Sequence, residues 1–313
     1  MEFIRRIVRD IYDGIEENRF GHACQIQDMA FVFPTKRAGL YLKKHIAEYL
    51  GPAHASWLPE IFSITEWVQS VSKRTFPDQL SLLLDLYRVM PRDESSIQKR
   101  FESFYPWGKM ILSDFNDIDQ NVLDPSIFRE IRELSEIDDS DLTLQQNYSQ
   151  LLKALDRLYH AFTEYLKTNN ATYYGLAIRE LISEFDQPEQ ANQRYSKWIK
   201  IIFSGFNFLT AGEERLLALL KEKGIAHFYW DIDHYFYSDP DNEAGSYFRS
   251  SPLIDDSAYW IDNALSTQAK QIDIVGTPGN TGQAKIAGNL LAQHLSRHEQ
   301  ASGIAEKTAL ILS

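Results

Sequence analysis

The sequence predicts an α/β chain: a parallel sheet with a large all-helical insertion, followed by the start of a second α/β unit. Short apolar runs bounded by turn residues occur near the N-terminus and again from about residue 198, each followed by a segment with three-four apolar spacing. Between about residues 64 and 195 only helical spacing is found. A last apolar run, "DIVG" from Asp273, leads into a further helical pattern. The expected organisation is therefore 1–62 and 196–262 as one sheet domain, 63–195 as a helical insertion, and 270–313 as the beginning of the next unit.

In chain order, Phe3, Ile4, Ile7, Val8, Ile11, Tyr12 and Ile15 fall on one face of an amphipathic helix. "MAFVFP" reads as a buried strand stopped by Pro34, and "TKRAGLYLKKHIAEYL" as a helix with Ala38, Leu42, Ile46, Tyr49 and Leu50 inward. "SWLPEIFSITEWV" predicts a strand and a helix start at Thr65. The insertion contains "DQLSLLLDLYRVM", "FESFYPWGKMILSDFNDI", "PSIFREIRELSEI", "YSQLLKALDRLYHAFTEYLKT" and "YYGLAIRELISEF", with breaks at Pro77, Pro91, Pro106, Pro125 and Pro188. Strands return in "KWIKIIFSGFNFL" and "IAHFYWDID", separated by the helix "TAGEERLLALLKEKG", which Gly224 closes. A turn-rich segment covers about 234–256, and "EKTALILS" reads as a buried strand.

With 313 residues, the chain has room for about two domains. Its 44% hydrophobic and 24% charged residues match an ordinary globular protein. No apolar run approaches the roughly 20 residues needed to cross a bilayer, and the first helix lacks the apolar block of a signal peptide. The single cysteine, Cys24, excludes an internal disulfide framework and a multi-cysteine metal site, and the cytoplasm is the expected compartment. A net charge of -12 argues against a chain coated in nucleic acid but leaves room for a local basic strip.

Several patterns invite a chemical reading. In "VGTPGNTGQAK" the glycines 276, 279 and 282 are three apart, and Gln283 and Ala284 stand where a phosphate loop needs lysine and a hydroxyl. The stretch is expected to be a strand-turn-helix junction, with Gly279-Asn280 as the turn and Thr281 as N-cap. The ten carboxylates and two arginines from Asp114 to Asp141 lack calcium-loop spacing, so Asp114, Asp117 and Asp119 read as part of a solvated acidic surface. Asp231 and Asp233 end an apolar strand, where carboxylates hold a metal in some α/β enzymes and otherwise face solvent or cap a turn. His294 and His298 have ligand spacing without the glutamate of a zinc protease, and Cys24 has His22 nearby but no third partner. The aromatic runs "SFYPWGKM" and "AHFYWDIDHYFY" fit core positions or base-stacking platforms.

The strip from Ala30 to Ala47 is more informative, with four cations (Lys36, Arg37, Lys43 and Lys44) and no carboxylate. Lys36 and Arg37 follow a strand directly at a helix start, where free amides add to the attraction for phosphate. Lys43 and Lys44 continue the same sides two turns on.

Taken together, "FVFPTKRAGLYLKKHI", "FYPWGKMILSDFNDID", "IIFSGFNFLTAGEERLL", "AHFYWDID" and "VGTPGNTGQAKIAG" resemble the N-terminal region of AddB-type helicase-nuclease subunits, long proteins with a C-terminal PD-(D/E)xK nuclease domain of the RecB family. The resemblance implies a superfamily-one helicase layout: a RecA-like (P-loop NTPase-like) first domain, a helical insertion, and a second RecA-like domain beginning near Gln271. It implies that "FVFPTKRAG", with Thr35, Lys36 and Arg37, touches single-stranded DNA, and that "KIIFSGFN" is the Walker B strand; the basic strip adds Lys43 and Lys44 to the expected nucleic-acid-binding residues. The N-terminal segment has no G-x-x-x-x-G-K-[ST], and Ser204, Gly205 and Phe206 stand where the magnesium-holding carboxylates would be. The expectation is a non-catalytic DNA-binding or scaffold module of a DNA-repair exonuclease, a fragment of a longer protein without cofactor of its own. Its expected partners are single-stranded DNA and an active helicase-nuclease subunit, with no membrane contact. A metal-dependent α/β enzyme using Asp231 or Asp233, or a purely protein-binding scaffold, are the alternatives.

Overall fold

Short runs of β-branched and aromatic residues that are buried on both faces fit the interior of a parallel sheet, and two such runs, Met29–Phe33 and Lys200–Ser204, lie at the middle of a five-stranded one. The computed structural model of the chain describes residues 2–52, 56–90, 100–125, 142–186, 193–254 and 259–297. The strands are β1 (Met29–Phe33), β2 (Glu60–Ser63), β3 (Lys200–Ser204), β4 (Ala226–Asp233) and β5 (Tyr259–Asp262), all parallel, in the order β2-β1-β3-β4-β5. β1 pairs directly with β3, Met29 opposite Lys200 and Val32 opposite Phe203, so strands from both ends of the helical segment share one sheet.

Alternation sends Met29, Phe31, Phe33, Ile202 and Tyr229 to one face, under helices α1 (Glu2–Glu16) and α2 (Lys36–Leu50). Ala30, Val32, Ile201, Phe203 and Trp230 point the other way, against α3 (Ile64–Ser72) and against the helices over Tyr174–Ser183 and Ala211–Glu222. The helical segment holds α4 (Gln79–Val89), α5 (Phe101–Gln120), α6 (Leu142–Thr168) and α7 (Tyr174–Ser183). They enclose a second core around Leu83, Phe104, Phe115, Phe162 and Leu176. After β3 comes α8 (Ala211–Glu222), started by a capping box in which Thr210 and Glu213 satisfy each other's backbone amides. Residues 1–266 form one compact unit, so the helical segment is packed onto the sheet.

Gly212, in the first turn of α8, makes that packing possible. A Cβ there would stand 2.5 Å from the Gln120 carbonyl oxygen and 2.8 Å from Ile178 Cγ2. Gly212→Ala is therefore expected to cost about 1–3 kcal/mol, read as a lower urea midpoint, because backbone and core must both give way. A midpoint equal to the parent's would show that α5 and α8 are not held this close.

Several expectations are corrected. α5 runs through Pro106 without a break, because one missing hydrogen bond costs less than the burial of Phe104, Leu112 and Phe115 on the same helix contributes. Asp119 is fully buried, on the inner face of α5, while Asp114 and Asp117 are exposed as expected. The turn-rich segment after β4 is built from short helices, α9 (His234–Ser238) and α10 (Ser246–Ser250), and is followed by β5, a strand the sequence reading did not assign. No residue of 271–276 is in a strand, and Ile272 and Ile274 are 76% and 93% exposed. An apolar run becomes a strand only beside another, and among the described residues of 267–297 there is none.

Residues 267–313 are a separate unit. The short helix α11 (Ala264–Thr267) crosses the boundary. α12 (Gly279–Arg297) begins at Gly279 itself, at φ 63, which puts Thr281 inside the first turn and not at the cap. "PSIFREIRELSEI" beyond Pro125, His298 and "EKTALILS" lie outside the described residues.

Candidate nucleic-acid interface

In an open parallel sheet, loops diverge where the strand order reverses, and ligands settle at the carboxyl ends of the strands there. The chain steps from β1 outward to β2, then returns to the other side of β1 for β3, β4 and β5. The reversal therefore lies between β1 and β3. β1 ends at Phe33, and Pro34 and Thr35 turn the chain into α2, with Thr35 extended at φ -137 and its hydroxyl making no cap bond. β3 ends at Ser204, whose hydroxyl is fully buried and has no hydrogen-bond partner among the described residues. Gly205 follows at φ 75, a conformation that favours glycine, and its amide donates to the Tyr229 carbonyl at 3.2 Å. No carboxylate stands at the end of β3.

Thr35, Lys36, Arg37, Lys43 and Lys44 are all exposed and all lie along α2 or its cap, so the structure brings the predicted residues onto one element. Arg37 and Lys43 make no hydrogen bond or ion pair with the described residues. Lys36 is different: its Nζ stands 2.5 Å from Glu66 Oε1. Glu66 is the third residue of α3, where its carboxylate accepts the Ser63 amide at 3.1 Å while Ser63 Oγ accepts the Glu66 amide. Lys36 first, and the Ser63 amide next, hold the Glu66 carboxyl below its usual range. The pair thus ties the starts of α2 and α3 together at the carboxyl edge. With the Lys36 side chain 74% exposed, it is a screened surface contact that a phosphate can replace. Glu66 escaped the sequence reading, although the Ser63–Glu66 capping spacing was available as a signal.

The other candidates divide. Asp233 caps α9, one oxygen accepting the Tyr235 amide and the other the Leu265 amide, each at 2.9 Å. Burial, and then Asp262 and Asp233 nearby, push the Asp231 carboxyl up. Among the described residues no cluster of His, Cys, Asp and Glu is arranged to hold a metal. Cys24 is buried, its thiol pushed up by desolvation, and it faces the Gln25 carbonyl at 3.7 Å. The aromatics of "AHFYW" are core, whereas Tyr105, Trp107 and Met110 of α5 are 40%, 51% and 59% exposed. No described helix is long and apolar enough to cross a membrane.

No protein-family model matches the sequence, and no curated protein matches it significantly.

Proposed function

We propose that the chain binds the sugar-phosphate backbone of single-stranded DNA along α2, as a non-catalytic, RecA-like scaffold of the kind found in AddB-type DNA-repair exonuclease subunits. One observation carries the reading: Arg37, exposed and unpaired among the described residues, sits in the first turn of a 15-residue helix at the strand-order reversal. Lys44 lies two turns on along the same side of α2. The β3 terminus of Ser204, Gly205 and Phe206 supports a role without ATP hydrolysis, since it offers nothing to hold a magnesium ion. A second reading, docking of a partner helicase subunit, draws on the exposed Trp107 and Met110 of α5.

Backbone contacts position a strand without reading its sequence, and each phosphate neutralised releases counterions. Binding measured by fluorescence anisotropy is therefore expected to be weak, sequence-independent and steeply salt-dependent. Arg37→Ala should weaken it more than Lys36→Ala, because Lys36 must first leave Glu66. The double variant should lower the salt slope by about two contacts, equally for all sequences. A parent chain that binds no single strand at low salt, or a double variant that binds as well as the parent, would favour the docking reading.

A further inference from the structure

Trp57 is 80% exposed, an unusual state for the residue type that gains most from burial. Its chain neighbours Ser56 and Leu58 line a groove of about 670 Å³ that Lys43 and Lys44, in the C-terminal half of α2, also line, while Trp57 itself stands outside the lining. That volume lies in the range of about 300–1,000 Å³ typical of sites for small ligands. Ile46, Leu50 and Pro52 add apolar side chains to the lining. The one acid in the lining, Glu48, is already engaged: its Oε2 lies 2.8 Å from His45 Nδ1 and 3.5 Å from an Arg5 nitrogen. His45 first, then Arg5 and Lys44, hold that carboxyl below its usual range. The groove therefore joins apolar side chains to lysine cations, its one carboxylate is paired with Arg5 and bonded to His45, and the exposed indole of Trp57 is held in the chain between two of its lining residues.

We infer that Trp57 is a base-stacking residue: a nucleobase of single-stranded DNA stacks on the indole while Lys43 and Lys44 hold the adjoining phosphates. The inference rests on the proposed single-strand binding and extends it from backbone contacts to a base contact at the far end of α2. An indole accepts any base, because every base has a π-face, so the contact adds affinity without sequence preference. The complementary charge of the lysines selects a nucleic-acid strand over a neutral or basic peptide.

Two strands of equal length, oligo-dT and its abasic counterpart, test this with the full chain. Trp57→Ala is expected to lower affinity for oligo-dT about tenfold and to leave affinity for the abasic strand unchanged. Trp57→Phe should keep affinity within about threefold of the parent while losing part of the tryptophan fluorescence quenching that oligo-dT causes. Equal binding of oligo-dT by Trp57→Ala and parent would overturn the stacking role and leave backbone binding standing. An equal loss on both strands would also overturn it, since the residue would then act on something other than a base. If the parent binds neither strand at low salt, the function falls and the stacking role with it.

Discussion

Asp119→Ala is expected to cost the fold about 3–5 kcal/mol, read as a lower midpoint of urea unfolding, because it removes a fully buried carboxylate and takes the acceptor from two phenols and a part-buried guanidinium at once. Asp119 is inaccessible on α5 and receives three donors. Tyr159 Oη donates to its Oδ1 at 2.6 Å, Tyr173 Oη donates to Oδ2, and Arg179 Nε donates to Oδ1. Arg179 also reaches the carbonyls of Ile118 and Leu123, at 3.1 and 2.6 Å, so one side chain joins α7 to the end of α5. Burial first, and the carboxylate next, push both phenols above their ordinary value, which keeps them protonated donors at neutral pH. Tyr173→Phe should cost less, about 1.5–3 kcal/mol, because it deletes one hydrogen bond to a charged group and leaves the ion pair in place. An Asp119→Ala midpoint within error of the parent's would show that this carboxylate is solvated, as the acidity of the surrounding sequence led us to expect.

Trp67→Ala is expected to cost about 3–5 kcal/mol, whereas Trp67→Phe should cost about 1–2 kcal/mol, on the same measurement. Trp67 is fully buried where α3 meets the sheet, edge-on to Phe203 at 5.2 Å and stacked on Tyr195 at 6.2 Å. Alanine empties that space. Phenylalanine keeps most of the ring contact and forfeits no hydrogen bond, since the indole nitrogen has no partner among the described residues. If the two variants lose the same stability, the indole nitrogen is bonded and the cavity argument fails. The position also bears on the interface, because the neighbouring Glu66 holds Lys36. Loosening α3 should free that lysine, and single-strand affinity of Trp67→Phe should not fall below the parent's.

Much of the fold is legible in the chain because local patterns report local structure. β1, β3 and β4 are apolar runs, and α1, α2 and α8 carry three-four spacing, so burial on one or both faces is written into the residues themselves. The basic strip of α2 is legible for the same reason: Thr35, Lys36, Arg37, Lys43 and Lys44 fall on one element whatever its surroundings. Charge alone does not locate a residue, however. Asp119 lies in an acidic stretch and reads as solvated, yet it is buried because Tyr159, Tyr173 and Arg179 arrive from elements far along the chain. Lys36 reads as free, and it meets Glu66 only because β1 and β2 are neighbours that bring the starts of α2 and α3 together.

By itself, then, the sequence determined which segments are helix or strand where periodicity is strong, the parallel character of the sheet, and which cations ride on α2. Only the tertiary structure decided the strand order that puts Arg37 at the reversal, the burial of Asp119, the exposure of Trp57 and the groove that its chain neighbours share with Lys43. It also decided that "DIVG" has no strand to pair with among the described residues. The physical reason is one of range. Periodicity is a property of neighbours within a few residues, while strand pairing, salt bridges and burial depend on what distant segments supply, and no single stretch carries that information.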